Sequence, residues 1–324
     1  MKSLTAILFL CIVTKQVNAQ NTIESYLKLK GILRIGTGKN DTVSFNDRGY
    51  TLLLPANTSE LRGVIISLED RKFDLNSSPS HQIYSQATSK GFAVLYLSTG
   101  IPVDLYFSEK SFLYIDLLLK NLFNQYKIPN KNIFFLGVSL AGHRALKYIE
   151  FCKKGKSNFN PDIKGIVLCD GVLDWVRQWF EAKKGVRDNF APSSVAEGKL
   201  IIYLLEKNLG GTPKNQLEKY LTFSPYSYFD ETRRHIKYFK DLAVRAYTEP
   251  ATRYWMETKG KTTFDTNFPD MVGFVNELKL AGNTKSELIV FNQDANNKDQ
   301  RNPDYTWGLV DKTELVSWME EQSK

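Results

Sequence analysis

The chain has 324 residues, of which 42% are hydrophobic, 13% aromatic and 24% charged, with a net charge of +8 at pH 7. That balance can fill a large apolar core and excludes a disordered chain. The positive excess is mild and scattered in short clusters such as Lys153-Lys154-Gly155-Lys156 and Arg233-Arg234. No nucleic-acid recognition motif accompanies it, so no nucleic-acid partner is expected.

Met1-Lys2-Ser3 is a short basic start, Leu4 to Thr14 is an apolar run, and Val17-Asn18-Ala19 offers a peptidase site. This is the pattern of a secretory signal peptide spanning residues 1–19, cleaved after Ala19. A membrane anchor is the alternative, but the apolar run falls short of the roughly 20 residues that a span needs. The mature chain, residues 20–324, is therefore expected to be secreted or periplasmic, with no membrane anchor. It keeps Cys152 and Cys169, which either pair in an oxidising compartment or stay as buried thiols; the second is preferred.

Gly31 to Gly36 and Thr42 to Leu54 alternate like strands, with Asn46-Asp47-Arg48-Gly49 as a turn cluster. Arg62 to Leu68 is a β-branched run of the kind buried on both faces. A helix from about Ser80 to Ser89 is followed by the strand Phe92–Leu97. A helix over Ser111–Tyr126, the strand Asn132–Gly137, the helix Leu140–Lys153 and the strand Ile163–Leu168 continue the rhythm. Strands alternating with helices predict a mostly parallel central sheet covered by helices on both faces. From about residue 173 to 240 the rhythm breaks into a polar, aromatic stretch, with a helix over Val195–Leu209, read as a helical lid insertion. It resumes with strand Leu242–Tyr247, helix Phe268–Leu280, strand Ser286–Phe291 and helix Lys312–Glu321.

Gly137-Val138-Ser139-Leu140-Ala141 falls between a strand and a helix. So sharp a junction brings the residues on either side of the serine together, and only small side chains fit. The turn lifts the Ser139 hydroxyl above the sheet edge. It also puts the Leu140 N–H at a helix N-terminus, where negative charge is favoured. The alternative is a small-residue turn that only lets helix and strand pack closely.

With this motif in this element order, residues 22–324 resemble the α/β-hydrolase superfamily. The segment Asn302-Pro303-Asp304-Tyr305-Thr306-Trp307-Gly308-Leu309-Val310-Asp311 is similar to the loop after the last strand in exported members. The resemblance implies an α/β-hydrolase fold as a single domain and a serine–histidine–acid triad without cofactor. It makes Ser139 the nucleophile and Glu249, directly after its strand, the first acid candidate. Asp270 is the second. It implies oxyanion donors at Leu140 and at the strand end near Leu68. The family histidine stands two residues before the tryptophan, where this chain has Tyr305. Many members also carry His-Gly where this chain has Leu68-Glu69-Asp70-Arg71, and inward acidic groups there would oppose an oxyanion.

A serine hydroxyl needs a base, and the base an orienting acid. Of the three histidines, His143 lies one turn past Ser139 and is expected to project away in a packing or solvent role. His235, beside Arg233 and Arg234, reads as a charged surface feature. His81 lies near the start of the helix after the strand Arg62–Leu68, either lining the pocket or on the surface. Tyr305, with an ordinary pKa of about 10, does not replace an imidazole. Trp307, with Trp175, Trp179, Tyr254 and Trp255, offers either a substrate-stacking surface or core packing. No closely spaced metal ligands occur, so neither metal nor cofactor is expected. Two readings follow: a serine hydrolase of the esterase or peptidase class with a small-molecule or peptide substrate, or a degenerate hydrolase-fold binding or scaffold protein. The oligomeric state is left open.

Overall fold

A computed structural model describes residues 21–73, 81–291 and 305–324, without the side chains of His81, Gln82 and Tyr305. The expected signal segment, residues 1–19, lies outside the described residues, as do residues 302–304 of the last loop. The elements in order are β1 (Asn21–Lys28), β2 (Ile32–Arg34), β3 (Thr42–Ser44), β4 (Asp47–Leu54), β5 (Gly63–Glu69), α1 (His81–Ser89) and β6 (Phe92–Ser98). There follow α2 (Glu109–Tyr126), β7 (Ile133–Val138), α3 (Leu140–Lys153), β8 (Ile163–Cys169), α4 (Trp175–Asp188), α5 (Pro192–Leu209) and α6 (Pro213–Phe223). The chain closes with β9 (Ala243–Thr248), α7 (Thr252–Lys259), α8 (Phe268–Leu280), β10 (Ser286–Val290), α9 (Tyr305–Leu309) and α10 (Lys312–Gln322).

Eight strands form one sheet in the order β1-β4-β6-β5-β7-β8-β9-β10. From β6 to β10 every pairing is parallel, and β1 and β4 join antiparallel at one edge. The expected mostly parallel sheet is present. Its strands are buried on both faces because the pleat divides them: Val64, Ile66 and Leu68 of β5 enter one core, and Ile65 the other. The first core is closed by Ile115 and Leu119 of α2, Leu146 and Ile149 of α3, and Phe274 and Leu278 of α8. The second is closed by Ile83 and Ala87 of α1 and by Leu315 and Met319 of α10.

A third apolar cluster belongs to residues 173–240. Trp175 and Trp179 of α4 pack with Ile201 and Leu205 of α5 and Tyr220 of α6, and Leu105 and Val172 tie the cluster to the sheet edge. Asp174 starts α4 by accepting the N–H groups of Val176 and Arg177, and Asn189 ends it in a left-handed conformation. Burial and the neighbouring Asp270 push the Asp174 carboxyl up to about 6.

The cluster Asn46–Gly49 departs from expectation. Asp47 to Gly49 lie inside β4, where Gly49 faces Tyr26 of β1. A Cβ on Gly49 would meet the backbone of Ser25 and Tyr26, so the glycine serves a close strand approach and not a turn. Among the described residues Cys152 and Cys169 form no disulfide, and Cys169 is buried.

Candidate active site

Ser139 sits between the last residue of β7 and the first of α3, exposed, with φ 53° and ψ −121°. A non-glycine residue held there carries strain of about 1–3 kcal/mol. Packing enforces it. A Cβ on Gly137 would stand 2.7 Å from the Gly142 nitrogen and closer still to its Cα. One on Gly142 would stand 3.1 Å from the Leu168 side chain and 3.4 Å from the Gly171 Cα. The junction is thus closed by Gly137 against Gly142, one residue beyond the pair that the motif alone singles out. The Ser139 N–H donates to the Cys169 carbonyl at 2.9 Å, and its own carbonyl accepts from Gly142 and Val172 at 3.1 and 3.4 Å. Leu140 begins α3, so its N–H belongs to the first turn, which has no intrahelical acceptor. The Leu140 side chain packs on the third cluster.

Three chemistry-bearing residues follow the carboxyl ends of the adjacent strands β7, β8 and β9: Ser139, Asp170 and Glu249. This edge is where open parallel sheets bind ligands. Glu249 is buried directly after β9. Asp170, which the sequence reading passed over, is held at φ 44°. Its carboxylate accepts from the Thr248 hydroxyl at 2.6 Å, and its N–H donates to the Tyr247 carbonyl at 3.0 Å. The signal available was an acid directly before Gly171 at a strand end.

Asp270 begins α8 and is fully buried. The Arg177 guanidinium of α4 grips it in a fork at 2.6 and 2.9 Å, and the Leu173 and Asp174 N–H groups donate to it at 2.9 and 3.0 Å. All of these donors come from the start of the segment 173–240, which Asp270 pins to the sheet.

Leu68 lies within β5 opposite Leu97, and its carbonyl accepts from Arg144 at 3.0 Å. Arg144, on α3 beside His143, is almost wholly buried and donates also to the Asp104 carbonyl at 2.5 Å. Its guanidinium stands 3.9 Å from the Glu69 carboxylate and 3.6 Å from that of Asp70. The Asp70 carboxylate also accepts the Val103 N–H at 2.7 Å. Burial raises the Glu69 carboxyl above its ordinary range, and Arg144 opposes that shift. The two acids at this strand end thus face a buried cation.

His143 is completely buried on α3. The Trp175 indole N–H donates to its Nδ1 at 2.9 Å, and an indole can only donate, so the ring proton lies on Nε2. Nε2–H in turn donates to the Leu105 carbonyl at 3.0 Å. Burial pushes this imidazole's pKa down to about 3. Both nitrogens are committed, which is a packing role. His235 is also buried, correcting its reading as a surface feature: Nε2 meets the Leu221 carbonyl at 2.9 Å and Nδ1 the Glu150 carboxylate at 3.0 Å. His81 and Tyr305 are the first residues of α1 and α9, and their side chains lie outside the described residues. Trp307 packs in the second core with its ring 4.3 Å from the Lys312 ammonium, while Tyr254 and Trp255 are half-buried on α7. Burial lowers the Lys312 pKa to about 8.

No family model and no curated protein matches the sequence. Solved structures do match in fold. Carboxyl esterase 2 of the mycorrhizal fungus Tuber melanosporum is 13% identical with a TM-score of 0.56, over 96% of this chain and 89% of that one. A bacterial heroin esterase is 14% identical with a TM-score of 0.55, over 95% and 86%. MPT51 of Mycobacterium tuberculosis is 12% identical with a TM-score of 0.54, over 92% and 97%.

Proposed function

From a chain that has the α/β-hydrolase fold, we propose a serine hydrolase that acts on a carboxylic ester outside the cytoplasm. Ser139 attacks the ester carbonyl, the alcohol leaves, and water releases the acid from the acyl-enzyme. The Leu140 N–H faces the developing oxyanion from the start of α3. Glu249 and Asp170 are the carboxylates placed to orient a base. One observation carries the reading: an exposed serine held at φ 53° over the carboxyl edge of a parallel sheet. The bond is proposed as an ester after the two esterases similar in fold. Export rests on the N-terminal segment alone.

A second reading, a binding protein on a hydrolase fold, draws on the commitment of both His143 and His235 to other partners. A serine without a base keeps roughly 10³–10⁴-fold catalysis over water. A fluorophosphonate probe separates the two readings. The hydrolase labels covalently, and Ser139→Ala abolishes the label. Absence of label on the wild type at saturating probe overturns the hydrolase reading.

A further inference from the structure

A concavity lies away from Ser139. A cleft of about 360 Å³ runs along one face of α3, lined by Lys147, Glu150, Phe151 and Lys154 and closed by α6 and the start of α2. Its volume falls within the range of small-molecule sites. At a rise of 1.5 Å per residue, Lys147 stands about 12 Å and Lys154 about 22 Å along the helix from Ser139.

The walls are aromatic. Phe107 and Phe223 stack at 4.6 Å, and Phe112 and Phe151 at 5.6 Å. The charge is unbalanced. Glu150, 2% exposed, is the common partner of Lys147 at 2.6 Å, of Lys154, and of the His235 ring at 3.0 Å. Lys156 is matched by Glu109 at 2.7 Å, and Glu218 is taken by Arg234. Lys219, exposed on α6, has no ion-pair partner among the described residues. The cleft thus offers aromatic surface to a hydrocarbon and surplus ammonium groups to an anion.

We infer that this cleft binds an amphipathic carboxylate: an acyl chain against the stacked phenylalanines, with its head group at Lys154 and Lys219. A neutral lipid leaves the surplus cations unmatched, and a bare phosphate leaves the aromatic walls unfilled. The site stands apart from the chemistry at Ser139.

Calorimetry with decanoate below its micellar range tests it on the full chain. The wild type and Ser139→Ala bind one decanoate alike, while 1-decanol binds at least tenfold more weakly and inorganic phosphate does not compete. Lys219→Glu, an exposed change that leaves the core untouched, weakens decanoate about tenfold, or 1.4 kcal/mol. Thr222→Trp, at the exposed rim, blocks it. A decanoate carrying a photoreactive diazirine crosslinks to α3 or α6. Absence of saturable binding below about 1 mM overturns the site. So does binding indifferent to Lys219→Glu and Thr222→Trp, binding lost in Ser139→Ala, decanol matching decanoate, or crosslinks elsewhere.

Discussion

Replacing Gly137 by alanine adds one methyl group at the tightest point of the elbow. The new Cβ would stand 2.7 Å from the Gly142 nitrogen and nearer to its Cα, and both are backbone atoms of the first turn of α3. Gly137 has no left-handed φ, so alanine suits its backbone and the whole cost is steric. Ordinary contact needs about 1 Å more, and only displacement of α3 from β7 supplies it. Overpacking costs about 1–3 kcal/mol, and the upper end applies where backbone must move. At about 2.1 cal/mol/K of unfolding entropy per residue, about 3 kcal/mol lowers Tm by roughly 4–5 °C in a chain of 324 residues. Gly308→Ala is the control: it lies in α9, where a Cβ would meet nothing within 4 Å, and it should gain up to about 1 kcal/mol. Urea unfolding monitored by tryptophan fluorescence measures both. A Gly137→Ala protein within about 0.5 kcal/mol of wild type refutes the packing of β7 on α3 as described.

Ser139→Gly should raise stability by about 1 kcal/mol in the same assay, because glycine adopts φ 53° without strain. Asp270→Ala leaves the Arg177 guanidinium buried without its carboxylate; the expected loss is about 3–5 kcal/mol, read from the urea midpoint. His143 is neutral when folded, with its pKa near 3, whereas the unfolded chain protonates it below about 6.5. The unfolded state then binds the extra proton, so this stabilisation is complete above pH 6.5 and declines as pH falls toward 3. About 2 kcal/mol should go between pH 6.5 and 5, and His143→Gln should lack that portion of the pH slope.

The runs Arg62–Leu68, Phe92–Leu97 and Asn132–Gly137 were legible because strands buried on both faces must be continuously apolar, whatever packs on them. The elbow was legible for a related reason: Gly137 and Gly142 are dictated by backbone approach, a local constraint. Legibility failed where the partner is remote. The edge strand β1, paired only with β4, spreads Ile23, Tyr26 and Leu27 over both faces among polar residues and so shows no continuous apolar run. Its approach turned Gly49 from an apparent turn residue into a strand residue. His235 beside two arginines has the local look of a surface residue, yet Glu150 of α3 and the carbonyl of Leu221 bury it. Asp270 stood as an acid candidate by chain order, and its hold on Arg177 spans 93 residues.

The strain at Ser139 and the commitment of His143 have different physical origins, and they weigh differently on function. The strain is upheld by Gly137, Gly142 and Gly171, whose only shared property is the lack of a Cβ. Close packing at that junction holds φ at 53° whether or not a proton acceptor stands nearby. His143, by contrast, is bound to Trp175, the first residue of α4, and to the Leu105 carbonyl that borders the third apolar cluster. Its imidazole fastens the segment 173–240 to the elbow helix. Asp270 fastens the same segment to α8 through Arg177, and Asp174 braces it internally through Ser227. Side chains that could have supplied a base or an acid here hold the segment 173–240 in place. The carboxyl edge itself carries the Ser139 hydroxyl, the first turn of α3, and the carboxylates after β8 and β9. Under the proposed hydrolase reading, catalysis requires a proton acceptor within reach of the Ser139 hydroxyl, a part that neither His143 nor His235 takes, each being bound to other partners.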